Sequence, residues 1–317
     1  MTDSPPLPRF GVRVARIVED VRVPHDSVLL DHALSYMLAG ISSVAELRTH
    51  LVFKGGTALR KCYFPGYRYS LDLDFSTRDQ YHWSPDDLLE LLKQACRSAE
   101  ELTARFGSYS FTPQREEHRD EHPHAQLEFR IAVIFPTGAE RPVKIEIAQE
   151  EPILRTISER QILHAFDGEV LQATIPVYSL DEIVVEKFRA FLQVRRILQT
   201  RSWTNRARDL YDVAEMHGHH YDDVRWAELL EPLRAKAAAR GVSFSRPEDF
   251  MAPEVLSAYK AIWNDRLDNL VPGVLPDFGA AVEELRQALA EVFGTTIGED
   301  ASTSGASDRG SEGPGQH

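Results

Sequence analysis

Leu71-Asp72-Leu73-Asp74-Phe75 alternates apolar and acidic side chains, and no other stretch constrains the fold as much. A period of two belongs to a β-strand, whose successive side chains point to opposite faces. One face of this strand then enters a core, and Asp72 and Asp74 project together from the other. Leu51-Val52-Phe53-Lys54 is short and apolar and ends at Gly55-Gly56, so it reads as a buried strand running into a glycine turn. A short helix over 57–63 follows, broken by Pro65-Gly66. Two more strands are expected over 126–135 and 143–149 as an antiparallel hairpin around Pro136-Thr137-Gly138, and Pro176 closes the region.

Helical patterning covers 10–20 and 26–38, the second with Asp26 or Ser27 as its cap, and 84–106 with Pro85 near its first turn. Ser179-Leu180-Asp181-Glu182 is a capping box that opens a helix running to about residue 199. Helices over 205–217, 225–240, 253–266 and 278–293 follow, with Gly241 and Gly294 as stops. This order predicts an α/β (α+β) unit with a mixed sheet over 1–178, then a helical domain over 179–298. Residues 299–317 are Ser, Gly and charged residues and are expected to be a disordered tail.

No run of eighteen apolar residues exists, and MTDSPPLPRF lacks the basic and apolar segments of a secretory signal, so a cytoplasmic protein with no membrane association is expected. Cys62 and Cys96 have no spacing that suggests a disulfide framework or zinc site. A net charge of −13 excludes nucleic-acid binding over the whole surface. One local run runs the other way: Lys187, Arg189, Arg195, Arg196, Arg201, Arg206 and Arg208 follow one another without an Asp or Glu until Asp209, apart from position 186 just before them. It is either a solvated face or a place for RNA.

Paired carboxylates on a strand suit Mg²⁺, which prefers hard oxygen ligands. Nucleotidyl transfer needs charge neutralised on the triphosphate and on the attacking and leaving oxygens, which two Mg²⁺ ions ~3.5–4 Å apart provide. Gly55-Gly56-Thr57 lies between strand and helix, where free N–H groups favour the β- and γ-phosphates; the alternative is an ordinary glycine turn. Val143-Lys144-Ile145-Glu146-Ile147 alternates as well, and Glu146 is a candidate third carboxylate, with Glu128, Glu150 and Glu151 as competitors. Lys187 falls on the apolar face of its helix, aligned with Ile183, Val184 and Phe191, and therefore wants an anion. Asp209 is aligned with Val213 and Met216, as a substrate contact or as the partner of Arg206 or Lys187. The histidine groups His118/His122/His124 and His217/His219/His220 repeat no metal-site spacing.

Phe53-Lys-Gly-Gly-Thr-Ala-Leu59 and Tyr69-Ser-Leu-Asp-Leu-Asp-Phe75 resemble the first motif of the AbiEii nucleotidyltransferase toxins, a group that includes the MenT-type toxins within the DNA polymerase β-like superfamily. The resemblance continues through Lys144-Ile-Glu146, Glu186-Lys187-Phe188 and Arg206-Ala-Arg-Asp-Leu-Tyr-Asp212. It implies a polymerase β-like nucleotidyltransferase fold followed by a helical domain, with two Mg²⁺ ions on Asp72, Asp74 and Glu146. It places Lys187 near the triphosphate and Asp209 in support, with Lys54, Gly55, Gly56, Thr57, Ser70 and Arg206 around the nucleotide. The implied activity is transfer of NMP from an NTP to an acceptor hydroxyl, a tRNA 3′ end above all. The implied setting is a toxin–antitoxin or phage-abortive system with a separately encoded antitoxin. Thr57 replaces the serine of the superfamily signature, and fourteen residues separate it from Asp72, slightly more than usual. The rival readings are a D-x-D glycosyltransferase, which leaves Gly55-Gly56-Thr57 and Lys187 without a role, and a catalytically silent RNA- or protein-binding member of the same fold.

Overall fold

The computed structural model describes residues 8–105, 109–116, 126–166, 168–197 and 206–295; the expected tail and His118, His122 and His124 lie outside them. Three helices come first, α1 (Phe10–Val21), α2 (His25–Ser43) and α3 (Ala45–His50). Strand β1 (Leu51–Lys54) turns directly into α4 (Gly55–Ala58), which continues as a π-type turn over Leu59–Tyr63. Then come β2 (Leu73–Thr77), α5 (Pro85–Thr103), β3 (Ser110–Arg115), β4 (Gln126–Ile134), β5 (Glu140–Ala148), β6 (Ile157–Gln161) and β7 (Thr174–Tyr178). The remainder of the described chain is helical: α6 (Leu180–Ile197), α7 (Ala207–His219), α8 (Leu230–Ala239), α9 (Pro253–Leu267) and α10 (Phe278–Phe293).

The strands form one mixed sheet in the order β3-β4-β5-β2-β1-β7-β6. Leu51, Val52 and Phe53 are all buried, as a strand covered on both faces requires. β1 runs antiparallel to β2, and β2 runs parallel to β5 with Asp74 opposite Glu146. The hairpin of β4 and β5 is as expected from sequence, with Glu128 opposite Glu146. α2 packs on α5 and β7, α6 packs on β7, and α7 lies among α6, α9 and α10.

Several boundaries differ from the sequence reading. The alternating strand begins at Leu73, so Asp72 precedes it, and it extends through Ser76 and Thr77. Those two read as a strand end because they are polar, yet both are buried and bonded: Tyr178 Oη donates to Ser76 Oγ (2.7 Å), and Thr77 Oγ1 donates to the Gln149 carbonyl (3.0 Å). α2 starts at His25 behind Pro24 and runs five residues past 38, because a helix buried nearly all round has no amphipathic period to mark its end. The helix after Thr57 begins at Gly55 instead. The stretch 225–240 is a short turn, Trp226–Glu228, before α8. Pro176 does not close the sheet region but sits inside β7; the pairing of β7 with β1 is confined to Phe53 and Val177, so the missing N–H breaks little of that ladder. Ser179 Oγ caps the Glu182 N–H (3.3 Å), but the Glu182 carboxylate turns to the Leu154 N–H (3.1 Å) and to Lys236 (2.8 Å) instead of closing the box.

Away from the sheet's centre, the loop between β6 and β7 is tied to the first helices by a buried carboxylate. Glu169 pairs with Arg13 of α1 (2.5 Å) and accepts from His32 Nε2 (2.8 Å), Tyr36 Oη (2.7 Å) and His164 Nε2 (2.9 Å). Among the described residues, His32, His164 and Glu169 form a group with ligand atoms within 4.8 Å of one another. Arg13 already balances the one carboxylate, so the group is a hydrogen-bond node that fixes α1. Burial pushes His32 down to about 4 despite Glu169, and His164 is lowered for the same reason. His32 is therefore neutral in the fold, while the unfolded chain takes up its proton near 6.5. The contribution of His32 to stability should fall as pH drops from about 6.5 to about 4, by roughly 3 kcal/mol. Asp74, raised in the fold, contributes with the opposite sign over the same range, so urea unfolding of both the wild type and His32→Gln at pH 7.5 and 4.5 is needed to isolate it; a pH dependence equal in the two proteins would contradict it.

Candidate active site

β1, β2, β5, α6 and α7 converge on a cavity of about 480 Å³. Its floor is acidic. Parallel pairing sets Asp74 of β2 beside Glu146 of β5, and Asp72, one residue ahead of the strand, lines the same cavity. Burial, then Glu146, then Asp72 push the Asp74 carboxyl well above its ordinary range. Asp72 is raised by burial, with Arg208 opposing. Glu146 goes the other way: burial would raise it, but Lys144, Asp74 and Lys54 together lower it. Lys144 Nζ lies 2.8 Å from Glu146 Oε1 and 3.1 Å from Glu128, and Gln126 Nε2 donates to Glu146 Oε1 at 2.6 Å. Three hard oxygen donors facing one cavity, with Asp74 raised by its acidic neighbours, fit a divalent cation.

The glycine turn presses against this floor. Gly55 has φ +81°, and a Cβ there would lie 2.4 Å from Asp74 Oδ2. A Cβ on Gly56 would lie 2.6 Å from Arg68 Nη2 and 3.4 Å from Ser70 Oγ. Only glycine allows the backbone this close to the acids and to Arg68. Thr57, expected around the nucleotide, does not line the cavity. It is fully buried, and its hydroxyl donates to the Asp72 carbonyl (2.5 Å), so its role is to hold Asp72 in place.

The opposite wall is basic, and six of its seven basic residues hold carboxylates of the chain. Lys187 does carry the anion that its apolar surroundings require, and in fact two: Asp212 at 2.5 Å and Asp209 at 3.1 Å. Arg206 reaches Asp209 (3.2 Å), and Asp212 also accepts from Arg68 Nε (2.6 Å). Arg189 pairs with Glu186 (2.8 Å), and Glu151 holds Lys54, Arg240 (2.9 Å) and Ser76. Glu151 is thus spent on cations, Glu150 is exposed, and neither Glu150 nor Glu128 lines the cavity, whereas Glu146 does and stands opposite Asp74. In the basic run, Lys187, Arg189, Arg206 and Arg208 face the cavity and are no solvated face; the side chains of Arg195, Arg196 and Arg201 lie outside the described ones.

Asp212 and Arg68 were not singled out from sequence, and Arg208 only as a member of the basic run. Asp212 lies three residues after Asp209 on one helix face, and Arg68 four residues before Asp72, spacings that become informative only once the elements are placed. Of the second histidine group, His217 pairs with Glu284 (2.6 Å) and His220 stacks on Phe64 at 3.6 Å. No described helix is long and apolar enough to cross a membrane.

The family model of the nucleotidyl transferase AbiEii toxin of type IV toxin–antitoxin systems matches residues 36–291. Among solved structures, the chain is similar to MenT4, a nucleotidyltransferase toxin from Mycobacterium tuberculosis, at 21% identity and a TM-score of 0.58, over 88% of this chain and 89% of that one. That likeness carries the fold. No curated protein sequence matches significantly.

Proposed function

As the chain belongs to the nucleotidyl transferase AbiEii toxin family, we propose that it moves an NMP group from an NTP to the 3′ hydroxyl of an RNA, tRNA being the favoured class. The observation that carries this reading is the register of β2 and β5, which sets Asp74 beside Glu146 at the foot of a cation-walled cavity. The catalytic unit extends to about residue 178 and the helices beyond it supply the basic wall. Two Mg²⁺ ions held by Asp72, Asp74 and Glu146 would neutralise the triphosphate and the reacting oxygens. Gly55 and Gly56 give the phosphates room against the backbone, with Ser70 and Lys54 lining the same cavity. Thr57 fixes Asp72, while Gln126 and Lys144 fix Glu146. Lys187 and Arg206 lie where charge accumulates on the leaving pyrophosphate, and Asp209 orients both. The protein acts in the cytoplasm and is restrained by a separately encoded antitoxin.

Incubation of the purified chain with each α-labelled NTP, Mg²⁺ and total RNA should label RNA of tRNA size at its 3′ end. Expression without the antitoxin should arrest growth, and Asp72→Ala at equal protein level should not. Label on protein, or arrest that persists in Asp72→Ala, would reject nucleotide transfer as the cause. A nucleotide sugar consumed in place of an NTP would favour the glycosyltransferase reading.

A further inference from the structure

We propose that Arg208 is a binding residue for the triphosphate of the incoming NTP, and for the pyrophosphate that leaves it. The inference rests on the nucleotidyl-transfer reading. Among the described residues, Arg208 is the one basic side chain of the cavity wall that makes no ion pair and no hydrogen bond, and its Nε is buried without a partner. The six other cations there each hold a carboxylate. A guanidinium drawn partly out of water without a directly bonded carboxylate is costly, and that cost is recovered when an anion binds it. Burial and the neighbouring Arg68 push its pKa below the ordinary value, with Asp72, Asp212 and Asp209 offsetting only part of this.

The neighbours of Arg208 select the anion. The charges that act on it are those of Arg68, Asp72, Asp212 and Asp209, and Arg68 lies against Gly56, where the triphosphate is proposed to sit. Neither Glu151 nor Arg240 is among them. The planar fork of five N–H donors can grip two phosphate oxygens at once, which an ammonium cannot. Arg206, two residues earlier, is half committed to Asp209, so Arg208 is the more available hook.

The test uses the full-length protein and inorganic tripolyphosphate, with RNA absent. Tripolyphosphate should raise the melting temperature of the wild type, and calorimetry should give an affinity that falls ~10- to 100-fold in Arg208→Ala, with Arg208→Lys between them. Without the anion, Arg208→Ala should melt no lower than the wild type, since it loses an unpaired cation; a residue with a merely structural role would lower it. In the transfer assay KM for NTP should rise while RNA affinity stays within about twofold of wild type. A wild type that transfers nucleotides beside an Arg208→Ala with unchanged tripolyphosphate affinity overturns this inference alone. A defect confined to RNA binding overturns it too, in favour of the acceptor's phosphates. A wild type that neither binds tripolyphosphate nor transfers nucleotides removes both the inference and the reading beneath it.

Discussion

Asp74→Asn should lower nucleotide transfer by roughly 10³-fold or more, and the variant should melt a few degrees higher than the wild type in the absence of metal. Both effects follow from one arrangement. Asp74 is half-buried beside Glu146 and Asp72, where desolvation and two like charges disfavour its ionised form. The fold therefore carries an unfavourable group at its centre, and removing the carboxylate relieves it. A site that keeps such a group gains by it elsewhere, and here the gain is an oxygen donor aimed at the cavity with Gly55 close behind it. The amide keeps the shape and loses the charge, so loss of activity cannot be laid to misfolding. Initial rates in saturating Mg²⁺ and thermal melts with and without Mg²⁺ decide the matter. Near wild-type rates would remove Asp74 from the metal site, and a lower melting temperature would mean that its charge is structurally required.

How far the sequence could be read depended on whether a residue's role was local. Asp72, Asp74, Gly55 and Gly56 were legible because strand alternation and glycine turns are short-range patterns, and the cavity gathers all four. The choice of Glu146 over Glu128, Glu150 and Glu151 was open, since only the parallel register of β2 and β5 separates them. β3, β6 and β7 escaped notice for a related reason. β6 is a polar edge strand with Glu159, Arg160 and Gln161 exposed, and β7 carries Pro176, so neither shows the alternation or the apolar run of a strand. The node at Glu169 joins Arg13, His32, Tyr36 and His164 across more than 130 residues of chain between Tyr36 and Glu169 alone, which no spacing rule reaches. Asp209 had been left open between substrate contact and ion pair; the structure gives it ion pairs with Lys187 and Arg206, and its contact with substrate stays a proposal.

The largest loss of stability is expected from Asp212→Ala. Asp212 is fully buried on α7, and its two oxygens take Arg68 Nε (2.6 Å), Arg68 Nη2 (2.5 Å) and Lys187 Nζ (2.5 Å). Arg68 comes from the loop ahead of β2 and Lys187 from α6, so one carboxylate ties the sheet to two helices. Replacing such a pair whole by apolar groups is often harmless, but removing one partner strands the other charges out of water, at a cost of about 3–5 kcal/mol. Lys187 retains Asp209 and shifts toward it, while Arg68 keeps only its bond to the Tyr69 carbonyl (3.2 Å). Against a typical total of ~5–15 kcal/mol that is a large share, and the urea midpoint should fall accordingly. Glu159→Ala is the control: its pair with Arg48 is about half exposed on both sides, and its loss should cost under about 1 kcal/mol. Adding Arg68→Met to Asp212→Ala should recover part of the loss, because the second change removes the stranded guanidinium. A midpoint for Asp212→Ala no lower than that of Glu159→Ala would mean that water reaches Arg68 and Lys187, and that this junction does not hold the two halves of the cavity together.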